Sequence, residues 1–193
     1  MKKFLLAAAL LVGSASAASA QSTVIKANIF SPLVKTGSFF VEHQTGAHSS
    51  VQLGGLFTKW GAGDNTNLSG FALTPEYRLY LSANKPALQG FYVGPFMRYQ
   101  NLTLSSVYES LDDDGNSVSA KAEAALNTLG GGVVVGHQWI FKRHISLDMF
   151  LGPSYNGGSI KVKDSSSGTN ASFNAGVFNG FGIRSGVTFG VAF

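Results

Sequence analysis

Apolar and polar residues alternate with a period of two along the last part of the chain. Between 173 and 193 the odd positions are mainly large and apolar, as at Phe181 and Ile183, whereas the even positions are mostly glycine or polar and include Arg184. Side chains alternate across a strand, so one face of this strand is apolar and the other is small and polar. Such a strand is typical of a transmembrane β-barrel, with lipid on one side and a polar lumen on the other.

The same alternation predicts eight strands in all. Their approximate bounds are 23–33, 38–44, 50–60, 70–82, 89–104, 122–141, 144–159 and 172–193. Pro75 and Pro95 fall on the apolar face, and because proline cannot donate a ladder hydrogen bond, they require bulges or local ladder breaks.

The predicted connections alternate in length. Those at 45–49, 83–88 and 142–143 are short, and those at 61–69, 105–121 and 160–171 are long. Outer-membrane barrels have short periplasmic turns and longer external loops. The sequence therefore predicts an all-β fold, an eight-stranded antiparallel up-and-down transmembrane β-barrel with both termini on the periplasmic side.

Residues 1–20 have the features of a cleaved signal peptide. Lys2 and Lys3 precede an apolar stretch at 4–12, and the small residues 18–20 precede Gln21. The apolar stretch is too short for a transmembrane helix. We therefore expect export through the Sec pathway to the outer membrane of a Gram-negative bacterium, with 21–193 forming one barrel domain.

Charge is scarce, at 12% of residues, where soluble domains average about 25%. Without Lys2 and Lys3, the 14 Lys and Arg fall to 12, against 10 Asp and Glu. This near balance does not favour a nucleic-acid partner. The expected partners are outer-membrane lipid and lipopolysaccharide, with the barrel assembly machinery during insertion. Periodicity alone also allows a soluble barrel or sandwich whose core is the apolar face.

Seven charged residues fall on the predicted lumen face of the strands. They are Lys26, Glu42, Glu76, Arg78, Arg98, Asp148 and Arg184. In a narrow lumen such charges are costly unless they are paired. We expect a structural ion-pair network that plugs the lumen, in which Arg184 pairs with a lumen carboxylate such as Asp148 and loss of Arg98 lowers the heat-denaturation temperature. The alternative is a narrow conduit for small solutes or ions.

Aromatic residues concentrate near both predicted rims, as expected for two membrane interfaces. Trp139, Phe141 and Phe193 lie near the periplasmic rim, and Trp60, Phe71, Tyr155 and Phe173 lie near the outer one. The C-terminal residues Phe189, Val191 and Phe193 resemble the signal that outer-membrane assembly machinery reads, so deletion of Phe193 should impair insertion.

The histidines do not favour an enzyme or a metal site. His144 precedes Ser146 with the spacing of barrel-borne lipid A deacylases, but the pair follows a short turn at the periplasmic rim. His43, His48 and His137 are scattered and lack metal-ligand spacing. We therefore expect no catalytic residues, no metal and no cofactor.

An acidic run at 112–114 resembles the front half of a calcium loop. Lys121 stands where a bidentate Glu is required. A solvated acidic turn is the expected reading of this run.

Three segments, 74–80, 90–99 and 136–139, carry a resemblance to a known family. They contain a Pro-Glu-x-Arg-aromatic strand, a Gly-x-Tyr-x-Gly-x-x-x-Arg-Tyr strand and a glycine-rich strand. In these segments the chain resembles the small outer-membrane β-barrels common in Bacteroidetes, a family of unknown function. It is more generally similar to barrels of the outer membrane protein A type, without a periplasmic domain. The resemblance implies the barrel fold and no particular activity.

Overall fold

The computed structural model describes residues 22–62, 66–82, 85–111, 117–164 and 180–193. Eight antiparallel strands pair in chain order and close into a barrel, which confirms the predicted fold class. They are β1 (Thr23–Asn28), β2 (Thr36–Gly46), β3 (Ser49–Ala62), β4 (Thr66–Tyr80), β5 (Gly90–Leu111), β6 (Ser117–Phe141), β7 (Ile145–Asp164) and β8 (Gly180–Ala192). The predicted signal peptide lies outside the described residues.

The barrel closes between its first and last strands at the end that carries both termini, here called the terminal end. Val24 pairs with Ala192, and the register runs to Asn28 opposite Thr188. The Phe193 carbonyl accepts hydrogen bonds from the backbone N–H groups of residues 22 and 23 at 3.1 and 3.0 Å. The C-terminal residue is thus part of the seam. The opposite end is called the loop end.

Several strand ends differ from the predictions. β1 stops at Asn28, whose side chain accepts a hydrogen bond from the Phe30 N–H at 3.0 Å and turns the chain into a 3-10 helix, Ser31–Val34. β5 and β6 continue well into the predicted loop 105–121, because their hairpin pairing runs unbroken to Leu111 opposite Ser117. Residues 172–179 of the predicted last strand lie outside the described residues.

The prolines break the ladder locally without changing its register. Between β4 and β5 the paired residues are interrupted beside Pro75 and Pro95, and between β6 and β7 they are interrupted beside Pro153. The pairing resumes in the same register in each case. The requirement for local breaks is therefore met, with no bulge at these positions.

The barrel wall is apolar outside and polar inside. On β8, Phe181 and Ile183 point outward and are 86% and 78% exposed, whereas Arg184 points inward and is 4% exposed. Outward aromatic pairs lie toward the loop end, with ring centroids 6.1 Å apart for Phe71–Tyr99 and 5.2 Å for Tyr155–Phe181. Trp139 packs on the His137 ring at 4.1 Å toward the terminal end. Phe173 is not among the described residues.

This polarity reverses in the loop-end parts of β5 and β6 (101–111 and 117–127), here called the β5–β6 extension, which β4 and β7 accompany as far as Ser106 and Ala122. The outward series on β5 is apolar to Tyr99 and then continues with Asn101, Thr103 and Ser105. The inward positions become apolar, and Leu102 and Leu126 are buried. The reversal marks the height at which the apolar outer surface ends.

In the described ranges there is no helix long and apolar enough to cross a membrane.

Candidate functional site: the charged lumen

The terminal end of the lumen is capped by the connection between β4 and β5. Leu88 adopts a left-handed backbone with φ 72°, which is strained for a branched side chain. Its side chain is buried against Val24 and Ala192, with Ile140 alongside. The Gln138 amide donates to the Leu88 carbonyl at 2.9 Å. The sequence predicts only a short turn here, so this cap is a feature that sequence reasoning missed.

Above the cap, four charged side chains from four strands meet in what we call the closed cluster. All four are fully buried. They are Lys26 on β1, Glu42 on β2, Arg78 on β4 and Asp148 on β7. They lie together because each occupies an inward position of its strand near the terminal end.

Lys26 uses all the donors of its ammonium group. Its Nζ donates to Glu42 Oε2 at 2.6 Å, to Asp148 Oδ2 at 3.0 Å and to Gln138 Oε1 at 2.7 Å. A lysine ammonium has three N–H bonds. Its desolvation is therefore compensated as far as hydrogen bonding allows.

Arg78 contacts the same two carboxylates as Lys26. Its Nη1 donates to Asp148 Oδ2 at 2.8 Å and reaches Glu42 Oε2 at 3.3 Å. Its Nε donates to Glu76 Oε1 at 2.6 Å, and its guanidinium lies 4.1 Å from the centroid of the Tyr92 ring. Arg78 thus links the closed cluster to the next layer of the lumen.

Three hydroxyl groups complete the carboxylate shells. Tyr80 and Ser50 donate to Glu42 Oε1 at 2.6 and 2.5 Å, and Tyr92 donates to Asp148 Oδ1 at 2.8 Å. The closed cluster therefore holds two cations and two anions whose oxygens all accept hydrogen bonds. The inward parity of Tyr80 and Tyr92 places them in the lumen, but the sequence does not show which carboxylate each one contacts.

Glu76 carries the network toward the loop end. Its Oε2 accepts a short hydrogen bond from Arg184 Nη1, and its Oε1 accepts the bond from Arg78. Arg184 therefore pairs with Glu76, although the sequence favoured Asp148 on the adjacent strand. The reason is length: the arginine side chain spans the lumen, where its guanidinium lies 4.5 and 4.8 Å from the ring centroids of Phe96 and Phe150.

Among the predicted lumen charges, only Arg98 has no opposite charge as a partner within the described residues. Its Nε donates to Thr74 Oγ1 at 3.3 Å, and its side chain is only partly buried. Burial disfavours its charge most, Arg184 repels it and Glu76 attracts it. The structure thus brings six of the seven residues into one network and leaves Arg98 beside it.

Several buried polar atoms have no hydrogen-bond partner within the described part of the chain. They are both side-chain polar atoms of Gln52, Nη2 of Arg78, Nδ1 of His137, Oγ of Ser146, Nη2 of Arg184 and Oγ1 of Thr188. All but the His137 nitrogen belong to inward positions. They are lumen groups whose hydrogen bonds the described residues do not complete.

The other candidate sites do not assemble. His144 is exposed in the β6–β7 turn, where its Nδ1 lies 2.9 Å from the Lys142 carbonyl oxygen, whereas Ser146 is fully buried. Among the residues that the structure describes, no group of three or more His, Cys, Asp or Glu could hold a metal ion. The acidic run 112–114 lies outside them.

Comparison with known proteins identifies the family of the chain. No curated protein matches the chain. A family model described as "Protein of unknown function (DUF3575)" matches residues 5–162, which cover β1 to β6 and most of β7. The chain, an eight-stranded barrel with a charged and capped lumen, therefore belongs to the DUF3575 family.

Proposed function

We propose that the chain is an integral outer-membrane protein with a structural or surface-interaction role and a closed lumen. The observation that carries this proposal is the apolar band around the barrel. On β5 the outward side chains are apolar or aromatic from Phe91 to Tyr99, and on β7 from Ile145 to Tyr155. A transmembrane β-strand needs about 9–11 residues, so the height of the band fits a bilayer.

The soluble alternative requires the apolar face to lie inside, and it lies outside. Phe39, Leu53, Met97 and Leu151 are all more than half exposed and come from four different strands. Soluble monomers rarely expose contiguous apolar patches beyond a few hundred Å². Lipid is the environment that matches this surface.

The lumen favours a closed barrel over a conduit. The Leu88 cap and the closed cluster lie in series across the terminal half, and Tyr92 and Val134 are fully buried beside them. Eight strands enclose an interior that side chains alone can fill. The proposal assigns no catalytic role, and it leaves the polar outer surface of the β5–β6 extension available for contacts outside the membrane.

The same proposal covers the export, assembly and lipid surroundings of the barrel. Export through the Sec pathway would bring the chain to the barrel assembly machinery, which would read Phe189, Val191 and Phe193. Lipid and lipopolysaccharide would then surround the band. The three backbone hydrogen bonds that residue 193 makes with residues 22 and 23 support a role for this end in closing the barrel.

Fractionation tests the location. The full chain is expressed in a Gram-negative host, and the inner and outer membranes are separated by density. We expect the protein in the outer-membrane fraction, with a gel mobility that shifts on boiling because the folded barrel resists detergent.

A matched pair of variants tests the apolar band. Leu151→Arg places a charge in the middle of the band and should lower the folded yield, since a midplane arginine costs about 2–4 kcal/mol. Asn127→Arg, on the outward face of the extension, should not. Recovery of the wild-type protein in the soluble periplasmic fraction, or equal yields of the two variants, would contradict the proposal.

A further inference from the structure

The upper lumen, toward the loop end from Glu76, carries more positive charge than its carboxylates balance. Arg98 and Arg184 both lie there, and Glu76 already accepts a hydrogen bond from Arg78. Each side chain of the closed cluster has its opposite charge within 3.3 Å. The excess positive charge of the lumen is therefore concentrated beside Arg98.

Donor groups in this region are unused. Arg184 is 4% exposed, and its Nη2 has no hydrogen-bond partner within the described residues. Arg98 makes a single hydrogen bond there, through Nε, which leaves its two terminal nitrogens without a described acceptor. A buried guanidinium nitrogen without an acceptor is costly. An acceptor that is not part of the described chain would remove this cost.

There is also space for such an acceptor. The strand register pairs Arg98 with Gly130, Gly130 with Asn156 and Asn156 with Gly180 across β5 to β8. Among the described residues, a methyl group added at Gly180 would meet no atom within 4 Å, and one added at Gly182 would meet only Ser154 Oγ, at 3.2 Å.

Two polar side chains lie near this space, together with the rings of Phe96 and Phe150 that flank Arg184. Ser154 and Asn156 are buried beside the space and can donate hydrogen bonds. An occupant that accepts hydrogen bonds would therefore find donors on more than one side.

We infer that Arg98, Arg184, Ser154 and Asn156 form a binding site for the oxyanion of a small soluble molecule that enters from the loop end. Guanidinium groups recognise carboxylate and phosphate oxygens through paired, charge-assisted hydrogen bonds. The hydroxyl and amide groups donate to the remaining oxygens. The site lies inside the barrel wall, so its ligand is a solute and not a lipid headgroup.

The probe for this site is inorganic phosphate. The refolded full-length protein in maltoside micelles, whose headgroups carry no charge, is titrated with sodium phosphate at constant ionic strength, and the arginine Nε–Hε resonances are followed by NMR. We expect saturable shifts of Arg98 and Arg184, with a Kd at least about tenfold weaker in Arg98→Gln. The control Lys59→Gln, which removes an exposed charge from β3, should bind as the wild type does.

Two further arms complete the test. Gly182→Val keeps both guanidinium groups and fills the space, so it should also abolish the saturable shift, and it serves if Arg98→Gln does not fold. Adding phosphatidylglycerol to phosphate-free micelles should leave both resonances unchanged. A saturable shift with phosphatidylglycerol, no saturable shift with phosphate, or an unchanged Kd in Arg98→Gln or Gly182→Val would overturn the inference.

Discussion

The two halves of the lumen satisfy charge in different ways. Near the terminal end, the closed cluster of Lys26, Glu42, Arg78 and Asp148 balances two cations with two anions, and hydroxyl groups fill the remaining acceptor sites. Toward the loop end, Arg98 and Arg184 face the single carboxylate of Glu76. The difference separates charge that the described residues pair fully from charge that they leave partly unpaired.

A buried ion pair stabilises a fold little when it is compared with a well-packed apolar core, yet breaking one is costly because the remaining charge stays buried. The ion pairs of the closed cluster are fully buried, so breaking one of them should be costly. The same cost does not apply to Arg98, because it is partly exposed and has no described carboxylate partner. Equal substitutions in the two halves should therefore have unequal effects.

The largest effect is expected for Asp148→Asn. This change keeps the shape of the side chain but leaves Lys26 and Arg78 with one carboxylate, Glu42, in the closed cluster. The free energy of unfolding in lipid vesicles, measured by urea titration, should fall by about 3–5 kcal/mol. The control Glu123→Gln on the extension should change it by less than about 0.5 kcal/mol. Similar losses in the two variants would mean that the cluster is not the stabilising element.

A smaller effect is expected for Tyr92→Phe. The ring and its contact with Arg78 remain, but Asp148 loses the hydrogen bond that it accepts at 2.8 Å. Removing one hydrogen bond to a buried charged group should cost about 1.5–3 kcal/mol in the same titration. No measurable change would show that another donor, such as water, replaces the tyrosine hydroxyl.

The smallest effect is expected for Arg98→Gln. The variant loses one hydrogen bond of 3.3 Å to Thr74 and removes the repulsion with Arg184. We therefore expect a change within about 0.5 kcal/mol of the wild type, whereas the sequence alone predicts a lower heat-denaturation temperature for an Arg98 substitution. A loss comparable to that of Asp148→Asn would place Arg98 in the closed cluster after all.

Period-two patterning was sufficient for the fold and for the face of each charged residue. Lys26, Arg78 and Asp148 all point inward as their parity predicts. The pattern could not predict which charged side chains pair, because alternation shows the face of a residue but not its height along the barrel axis. Arg184 pairs with Glu76 across the lumen and not with Asp148 on the neighbouring strand. The Leu88 cap was equally hidden, since it depends on the path of a connection with no periodicity.

The ends of β5 and β6 were also beyond what alternation could predict. The predicted strands end at Leu104 and begin again at Ala122, but hairpin pairing continues to Leu111 opposite Ser117. Sequence reasoning ended β5 too early because it used lipid-facing alternation as the sign of a strand. A strand that leaves the bilayer needs only a hydrogen-bonded partner.

The measurement that tests the closed lumen most directly is single-channel recording of the wild-type protein in planar bilayers. The cap and the closed cluster predict no stable ohmic conductance at moderate voltage, with the barrel shown to be inserted and folded by its heat-modifiable mobility. A stable ohmic current from the folded wild type would contradict the closed lumen and favour the conduit.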